Sequence, residues 1–466
     1  MNDEDLAYLD ITTLGRHYRE HIYSPVEVTQ AIFARIRRLD GHLNSFITLL
    51  EVKALAQARQ AEAELFAGRD RGPLHGIPLS LKDIIDTAGS RTTAGSRLWH
   101  DRVPTKTATA ALRLEQAGAV LLGKCNLLEF AYGNVHPDFG QCNNPWDTGR
   151  TSGGSSSGSA ASVAAGLGWG SLGTDTGGSI RIPASYCGIV GLKPTYGRVS
   201  VHGVCPLSFS FDHVGPLART VTDAALLLQA AAGHDPLDPT SLPNPVPDYL
   251  ADIRVGVRGL RVGVVREHMG TDLPGFVSDA TWAAVRELER AGAIVSEISI
   301  PGLAHADELL LPALMPEATL VHQAAFREHP DDFAVLTRMQ LEQGFTFSAI
   351  DYLHAHQGCS QLRQEMLAAL REVDILLSAT VPWEAPAEDP PEDGGQEGTA
   401  EARRTAPYNL TGLPAISLPC GFGPTGLPLG LHLASAPLSE ALLLRIAYAY
   451  EQASAWSRRP PLDASY

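Results

Sequence analysis

The sequence predicts an α/β protein, a single large domain in which helices cover a central, mostly buried mixed β-sheet. Three observations support this prediction. Helical patterns alternate with short apolar segments along most of the chain, and a helix–glycine–strand arrangement occurs twice. The composition, 44% hydrophobic and 19% charged, is typical of a protein that buries a large core.

Residues 1–70 are expected to form a helical segment packed on a core of residues 71–466. Ser24 is the expected N-cap of the first long helix. Pro25 suits the first helical position because its missing N–H would have no partner there. A second helix is expected over residues 52–66, where Ala, Gln and Glu predominate.

The core is expected to alternate between helices and apolar strands. Gly118 and Gly292 each follow a helical pattern and precede an apolar run, as expected where glycine ends a helix. Surface excursions are expected near 234–247 and 384–401, which are rich in proline and acidic residues. The predicted strands are 77–85, 119–123, 260–265 and 293–298, and the predicted helices are 106–116 and 278–290, the latter with Ser278 as N-cap.

Charge and cysteine content exclude several classes of function. With 36 basic and 52 acidic residues the formal charge is −16, so no direct nucleic-acid partner is expected. The six cysteines form no CxxC pair, which is typical of reduced core thiols and not of a metal site. The N-terminus is acidic and no segment approaches 18 uninterrupted apolar residues, so a cytoplasmic protein with no membrane partner is expected.

Two glycine–serine runs raise the question of function, GGSSSGSA at 153–160 and GTDTGGSIR at 173–181. A flexible linker fits poorly, because helix-forming small residues follow the first run and a lone Asp and Arg flank the TGGS of the second. Residues 168–173 match a dinucleotide fingerprint by letter only, since a helical pattern precedes them instead of a strand.

A nucleophile elbow is a third interpretation of these runs. Residues 154–158 match GxSxG with Ser156 as the nucleophile. The preceding residues 143–149 resemble a turn where the elbow requires a strand, and no histidine has an informative context. The elbow therefore stays open as a second choice.

The fourth interpretation combines both runs with Lys82. A serine hydroxyl needs a base to become a nucleophile, and lysine can serve when burial lowers its pKa toward neutrality. Lys82 is flanked by apolar residues of a predicted strand. Ser179 follows two glycines, where backbone N–H groups can converge on an oxyanion without hindrance from a Cβ.

At these residues the chain resembles the amidase signature family of serine hydrolases. The resemblance is dense from Leu74 to Thr222 and thinner elsewhere. Its motifs, in order, are Gly76-Ile-Pro-Leu-Ser-Leu-Lys-Asp, Arg91-Thr-Thr-Ala-Gly-Ser, Gly123-Lys-Cys-Asn, Asn144-Pro-Trp-Asp, the two glycine–serine runs, Tyr186-Cys-Gly-Ile-Val-Gly-Leu-Lys-Pro-Thr-Tyr-Gly-Arg-Val and Asn409-Leu-Thr-Gly-Leu-Pro-Ala-Ile-Ser-Leu-Pro.

The resemblance implies a catalytic set of Ser179, Ser155 and Lys82. Ser179 would be the acyl nucleophile, and Ser155 would relay a proton between it and Lys82. In relatives the peptide bond before the relay serine is cis. The implied oxyanion hole consists of the backbone N–H groups of Thr176, Gly177, Gly178 and Ser179.

Supporting positions follow from the same resemblance. Asp175, Arg181 and Ser156 would brace the loops by hydrogen bonds. Tyr132 and Ala131 would line the substrate pocket. These five residues complete the site that the resemblance implies.

Structural alternatives and departures accompany these assignments. The structural alternatives are a helix N-cap for Ser155, a turn residue for Ser179 and a core aromatic for Tyr132. The chain departs from the family pattern at Ser157, where glycine is common, and at Leu81, where valine is frequent.

The implied activity is hydrolysis of a carboxylic amide to a carboxylate and ammonia or an amine through a seryl acyl-enzyme, without metal or organic cofactor. The first choice is a stand-alone hydrolase of a small-molecule amide, and related enzymes are often homodimers. The alternative is the glutaminase (A) subunit of a tRNA-dependent amidotransferase, against which the acidic segment 384–401 weighs. A catalytically inactive binding or scaffold protein is the alternative from another class.

Overall fold

The computed structural model describes residues 3–270, 272–388, 397–454, 456 and 458–462. This part of the chain forms a single large α/β domain around one sheet of eleven strands, with a separate two-stranded hairpin, β4 and β5. The strands are β1 (Phe46–Leu49), β2 (Pro78–Lys82), β3 (Val120–Cys125), β4 (Asn143–Asn144), β5 (Asp147–Thr151), β6 (Gly170–Asp175), β7 (Val190–Lys193), β8 (His213–Ala218), β9 (Arg261–Val265), β10 (Ile294–Ile298), β11 (Ile375–Ala379), β12 (Ala415–Phe422) and β13 (Pro428–Ala434).

Helices connect these strands. The α-helices of the described residues are α1 (Asp3–Ala7), α2 (Ile11–Arg19), α3 (Pro25–Leu43), α4 (Glu51–Phe66), α5 (Thr109–Gln116), α6 (Ser157–Ala164), α7 (Arg181–Cys187), α8 (Val221–Ala231), α9 (Gly275–Arg290), α10 (Ala306–Glu328), α11 (Val335–Gly344), α12 (Ala349–Glu372), α13 (Glu397–Ala402), α14 (Pro407–Leu410) and α15 (Glu440–Ser454). Short 3₁₀ helices span Arg97–Trp99, Glu129–Ala131, Arg266–His268, Pro301–His305 and Pro330–Asp332.

The main sheet is mixed, as predicted. Its strand order is β1, β3, β2, β6, β8, β7, β12, β13, β11, β9, β10. Strands β3, β2 and β6 are mutually parallel, as are β11, β9 and β10, and antiparallel pairs join the two groups. Every residue of β2, β3, β6, β8 and β13 is buried, so both faces of the sheet are covered at its centre.

Helix α3 begins as the sequence predicts. Ser24 Oγ accepts a hydrogen bond from the Glu27 backbone N–H at 3.1 Å, and the Glu27 carboxylate accepts one from the Ser24 N–H at 2.9 Å. The two residues therefore form a capping box, with Pro25 at the first helical position. The helix buries Ile32 and Ile36 in the core.

Replacing Ser24 with alanine is expected to lower the free energy of unfolding by about 1 kcal/mol, because the Glu27 N–H loses its acceptor and the capping box is broken. Urea-induced unfolding measures this change. Ser278→Ala is the matched control, since Ser278 lies inside helix α9 and caps nothing. Equal losses in the two variants would contradict the capping role of Ser24.

The repeated helix–glycine–strand pattern is confirmed. Gly118 follows helix α5 with φ +85°, and Gly292 follows helix α9 with φ +101°. The left-handed conformation ends each helix and directs the chain into β3 and β10, respectively. At Gly118 a Cβ would lie 2.5 Å from the ring of His75, so space as well as conformation requires glycine there.

Three local predictions are corrected by the structure. Helix α9 begins at Gly275, with Pro274 at its N-cap position, so the prediction of Ser278 as N-cap is wrong; burial of Val277 holds the additional turn on the core. Helix α5 begins at Thr109 and not at residue 106, because the Ala108 N–H donates to a carbonyl outside the helix, that of Asp86.

The third correction concerns the first 70 residues. They contribute the edge strand β1, which pairs antiparallel with β3. Strand β1 is a run of four residues between two helices, and periodicity alone cannot distinguish a strand from a helix over so short a run. The division at residue 70 stays a prediction.

The predicted excursions have different outcomes. Residues 234–247 form no helix or strand, yet their acidic side chains are anchored, since the Asp235 carboxylate accepts a 2.6 Å hydrogen bond from Ser200 Oγ. Of the stretch 384–401, residues 389–396 lie outside the described residues, and helix α13 starts at Glu397.

The centre of the sheet brings the two glycine–serine runs close to Lys82. Strands β2 and β6 are parallel neighbours, paired at Ser80 with Ser171 and at Leu81 with Leu172. The carboxyl ends of parallel neighbours meet at the same edge of a sheet. Lys82 ends β2 and Asp175 ends β6, so the residues that follow each strand share one edge.

Candidate active site

Lys82 is fully buried at the end of β2. Its Nζ donates to Ser155 Oγ and to Thr174 Oγ1, both at 2.8 Å. Burial lowers the pKa of Lys82 from 10.5 to about 7, although the negative charges of Asp175 and Asp212 act in the opposite direction. The side chain is therefore a neutral amine over an accessible pH range and able to take a proton.

Ser155 lies between the β4–β5 hairpin and helix α6. The Gly154–Ser155 peptide bond is cis. The Ser155 residue is 2% exposed and lines the cavity described below. Its Oγ accepts the hydrogen bond from Lys82, while helix α6 starts two residues later without a side-chain cap. The alternative of Ser155 as helix N-cap therefore has no hydrogen bond to support it.

Ser179 lines the same cavity as Ser155 and is partly exposed to it. The Ser156 N–H donates to the Ser179 carbonyl at 3.1 Å, which ties the two glycine–serine runs together. Gly178 has φ +143°, and a Cβ there would lie 2.3 Å from Thr405 Oγ1. Only glycine at position 178 therefore permits Thr405 to lie this close to the residue before Ser179.

The loop before Ser179 presents unpaired backbone donors. Among the described residues, no protein acceptor takes a hydrogen bond from the N–H of Thr176, Gly177 or Gly178. Thr176 and Gly177 line the cavity beside Ser179. Converging N–H groups next to a hydroxyl can stabilise an oxyanion.

Asp175 and Arg181 form a fully buried ion pair beneath this loop. Arg181 Nε donates to Asp175 Oδ2 at 3.0 Å and Nη2 donates to Oδ1 at 2.9 Å, a bidentate geometry. Burial alone would raise the pKa of Asp175, but the Arg181 guanidinium holds it well below its ordinary value. The Ile180 N–H also donates to this carboxylate, so the pair holds both ends of the TGGS turn.

Three residues near the C-terminus complete this ion-pair network, and none of them was assigned a role from the sequence. Asn409 Oδ1 accepts from Arg181 Nη2 at 2.7 Å, and its Nδ2 donates to the Asp175 carbonyl at 2.9 Å. Arg181 Nη1 donates to the Thr405 carbonyl and contacts His432 Nε2. Asn409 is the first residue of the C-terminal family motif, and this motif was the signal in the sequence that could have identified it.

Thr174 and Asp212 were also missed. Thr174 Oγ1 is the second acceptor of the Lys82 amine, and Thr174 belongs to the GTDTGGSIR run. Asp212 Oδ1 accepts from Thr176 Oγ1 at 2.6 Å and therefore holds the first residue of the unpaired turn. Burial raises the pKa of Asp212 to about 6. No motif in the sequence distinguished Asp212 from other acidic residues.

Ser156 has a different environment from its neighbour Ser155. It is fully buried, its Oγ donates to the Thr174 carbonyl at 3.1 Å, and it lies outside the cavity lining. A nucleophile elbow would expose this hydroxyl. Residues 147–151 form strand β5, so the expectation of a turn throughout 143–149 is wrong; β5 belongs to a hairpin outside the main sheet.

Tyr132 and Ala131 both line the cavity, as the resemblance implies. Ala131 and the preceding Phe130 have positive φ values, 61° and 52°, which bend the chain sharply. Glu129 anchors this bend, because its carboxylate accepts from Ser96 Oγ at 2.6 Å and from the Ala334 N–H at 2.7 Å. The bend is thereby connected to the start of helix α11.

The cavity beside Ser179 has a volume of about 440 Å³, in the range of small-molecule sites. One wall carries Ser155, Ser179 and the Thr176–Gly177 backbone. Helices α10 and α11 supply aliphatic side chains to another part of the lining. The arrangement combines a hydroxyl, a buried amine and unpaired N–H donors at one end of an apolar pocket.

Other candidate chemistry is not assembled in the described residues. No group of three or more His, Cys, Asp or Glu side chains there is placed to hold a metal ion. The six cysteines, all within that part of the chain, form no disulfide, and five of them are buried. Every helix there is too short or too polar to cross a bilayer. Residues 170–173 of the fingerprint match lie within strand β6, so the match does not form the strand-to-helix turn of a dinucleotide site.

Comparison with known proteins relates the whole chain to amide-hydrolysing enzymes. The Amidase family profile matches residues 27–444. The A subunit of the glutamyl-tRNA(Gln) amidotransferase of Moorella thermoacetica is 40% identical over 98% of this chain and 99% of its own length. The corresponding protein of Thermosynechococcus vestitus is 40% identical over 94% and 96%.

Solved structures show the same relationship. The peptide amidase of Stenotrophomonas maltophilia superposes with a TM-score of 0.85 at 33% identity, covering 98% of this chain and 99% of its own. A chain from a vestigial complex linked to the origins of an s-triazine catabolic enzyme superposes with a TM-score of 0.91 at 32% identity, covering 97% and 100%.

The fold, the family profile and these relatives define an amide-hydrolysing enzyme. The chain belongs to the amidase signature family.

Proposed function

We propose that Ser179, Ser155 and Lys82 hydrolyse a carboxylic amide through a seryl acyl-enzyme. The observation that carries this proposal is the 2.8 Å contact between the buried Lys82 amine and Ser155 Oγ, because Ser155 and Ser179 line the same cavity. Among the described residues, no carboxylate forms an ion pair with Lys82, so burial can keep the amine neutral.

In the proposed acylation step, Ser179 Oγ bonds to the amide carbonyl carbon. Its proton passes to Ser155, and the Ser155 proton passes to the neutral Lys82 amine. The N–H groups of Thr176 and Gly177 stabilise the negative charge on the carbonyl oxygen. The proton returns through Ser155 to the leaving nitrogen as the C–N bond breaks, which releases ammonia or an amine.

In the proposed deacylation step, water takes the place of the amine. Lys82 and Ser155 remove a proton from the water as it attacks the acyl carbon. The bond to Ser179 Oγ then breaks, the proton returns to that oxygen, and the carboxylate product leaves. The same residues therefore serve both halves of the reaction, as microscopic reversibility requires.

Activity is expected to rise as the pH is raised through about 7. The pKa of Lys82 is lowered by burial to about 7, and only the neutral amine above that pH can accept the proton. Asp212→Asn should move this rise to lower pH, because the Asp212 charge favours protonated Lys82. Ammonia release measured across roughly pH 5–9 gives kcat/KM for both proteins. A flat profile would contradict the role of Lys82.

Covalent labelling tests the nucleophile directly. A small fluorophosphonate is applied to the wild type, Ser179→Ala and the control Ser156→Ala, and the adduct is located by peptide mass spectrometry. We expect an adduct on Ser179 in the wild type and in Ser156→Ala, and none in Ser179→Ala. An adduct on Ser156 would support the nucleophile elbow instead. Absence of any adduct in folded protein would favour the binding or scaffold alternative.

A second candidate function is the ammonia-supplying subunit of a tRNA-dependent amidotransferase. The relatives that are A subunits of glutamyl-tRNA(Gln) amidotransferases favour it, with 40% identity over nearly the whole chain. The similar peptide amidase structure favours a stand-alone hydrolase. Ammonia release from glutamine, compared with release from simple amides by the purified chain, separates the two functions. A homodimer and a cytoplasmic location stay predictions of the sequence.

A further inference from the structure

Helices α10 and α11 contribute an aliphatic wall to the cavity that Ser179 lines. Four of the wall's side chains are buried, whereas Met339 is 48% exposed at the outer end. This wall has few polar groups, and one of them, Gln340 Oε1, already accepts a hydrogen bond from the Gly133 N–H. The residues contributed by helices α10 and α11 to the aliphatic wall are Leu310, Leu311, Leu314, Met315, Leu336 and Met339.

Among the described residues, the cavity lining carries no positive charge for an acidic substrate. Glu401 is the one charged side chain of that described lining, and its carboxylate accepts a hydrogen bond from the Tyr186 hydroxyl. Residues 389–396, which are outside the described part, include no lysine, arginine or histidine in their sequence.

The arginines near the site in sequence are engaged elsewhere. Arg181 is fully buried against Asp175. Arg403 and Arg404, which follow the cavity residue Ala402, both pair with Asp272. None of these guanidinium groups belongs to the cavity lining.

We propose that this cavity accepts an uncharged aliphatic acyl group, and that free glutamine is not the substrate. The inference rests on the proposed function. In glutamine, the α-carbon carries a carboxylate and an ammonium group, and two methylenes separate this carbon from the amide carbon. Placing that carboxylate against an aliphatic wall with no cation in its described lining removes it from water without compensation. An aliphatic amide gains instead from burial of each methylene.

The substrate test compares amides that differ in one feature. Hexanamide and adipamic acid (5-carbamoylpentanoic acid) have the same chain, but a methyl group in the first is replaced by a carboxylate in the second. We expect kcat/KM to increase about threefold to fourfold per methylene from acetamide to hexanamide. We expect hexanamide to exceed adipamic acid and glutamine by about 100-fold. Glutamine or adipamic acid matching hexanamide would overturn the proposal.

A charge introduced at the cavity mouth provides a second test. Met339→Arg should raise the kcat/KM of adipamic acid relative to hexanamide by about threefold, because the exposed cation is screened by solvent. Leu353→Arg is the matched control, since Leu353 is 64% exposed on helix α12 and does not line the cavity. We expect no change of the ratio there. An unchanged ratio in Met339→Arg would contradict the placement of the acyl chain.

Binding to the Ser179→Ala variant separates this inference from the proposed function. Titration calorimetry with hexanamide and adipamic acid measures acyl recognition without turnover. We expect hexanamide to bind and adipamic acid not to bind. Equal binding, or binding of neither, would overturn the acyl-group inference even if Ser179 is labelled by the fluorophosphonate. A failed labelling test alongside selective binding would overturn only the catalytic assignment.

Discussion

Replacing Lys82 with methionine is expected to lower kcat/KM on the order of 10³–10⁵-fold, because the proposed proton relay loses its base. Methionine has a similar length and no charge, so the buried site can accommodate it. The free energy of unfolding should stay equal or increase. Burial lowers the pKa of Lys82 to about 7, so the folded state disfavours the charged form of this lysine. At about pH 8 the unfolded chain still carries that charged form, so the lysine lowers the free energy of unfolding and methionine does not.

Lys106→Met is the control for this substitution, since Lys106 is exposed and lies outside the cavity. It should leave both kcat/KM and stability unchanged. Ammonia release and urea unfolding at about pH 8, where a Lys82 with a pKa of about 7 is mostly neutral, measure the two quantities. Retention of a tenth or more of the wild-type activity in Lys82→Met would rule out the proposed base.

Replacing Arg181 with methionine is expected to lower the free energy of unfolding by about 3–5 kcal/mol. The Asp175 carboxylate would lose two hydrogen bonds and stay buried without its guanidinium partner. Asn409 and the Thr405 carbonyl would lose a donor as well. Because the ion pair holds the turn before Ser179, activity should fall even under conditions in which the variant is fully folded.

Arg37→Met is the matched control for the buried pair. Arg37 pairs with Glu51 at 3.0 Å, but its side chain is 58% exposed, so this pair should contribute less than about 1 kcal/mol. Urea-induced unfolding of both variants gives the comparison. Similar losses at the two sites would show that the Asp175–Arg181 pair is not the structural brace of the turn.

Features that depend on neighbouring residues were predicted well. The N-cap at Ser24, the glycines at 118 and 292 that end helices and a buried strand around Lys82 were all visible in short segments, although the strand spans Pro78–Lys82 and not the predicted 77–85. Errors arose where a contact from elsewhere decided the outcome. Strand β1 exists because β3 offers an edge to pair with, which no local pattern reveals.

The candidate site shows the same difference between features set by neighbouring residues and features set by distant contacts. The sequence placed Thr174 and Asp175 in one conspicuous run, and the structure holds both against residues far along the chain. Asp212 contacts Thr176 across 36 positions, and it was not singled out because an isolated aspartate carries no pattern. The aliphatic cavity wall from helices α10 and α11 was also not predicted, since their apolar residues resemble ordinary core positions.

The sequence by itself determined the fold class and the family resemblance, and it supplied the proposed catalytic residues, because these follow from residue types and their local order. The tertiary structure alone decided that Lys82 is buried against two hydroxyls, that Asn409 completes a network centred on Arg181, and that the described cavity lining has no cation. The physical reason is that proton affinity and ligand selectivity depend on what surrounds a group in space. Around Lys82 and Arg181, that environment is formed by residues 73 to 228 positions apart in sequence, which come together only in the folded core.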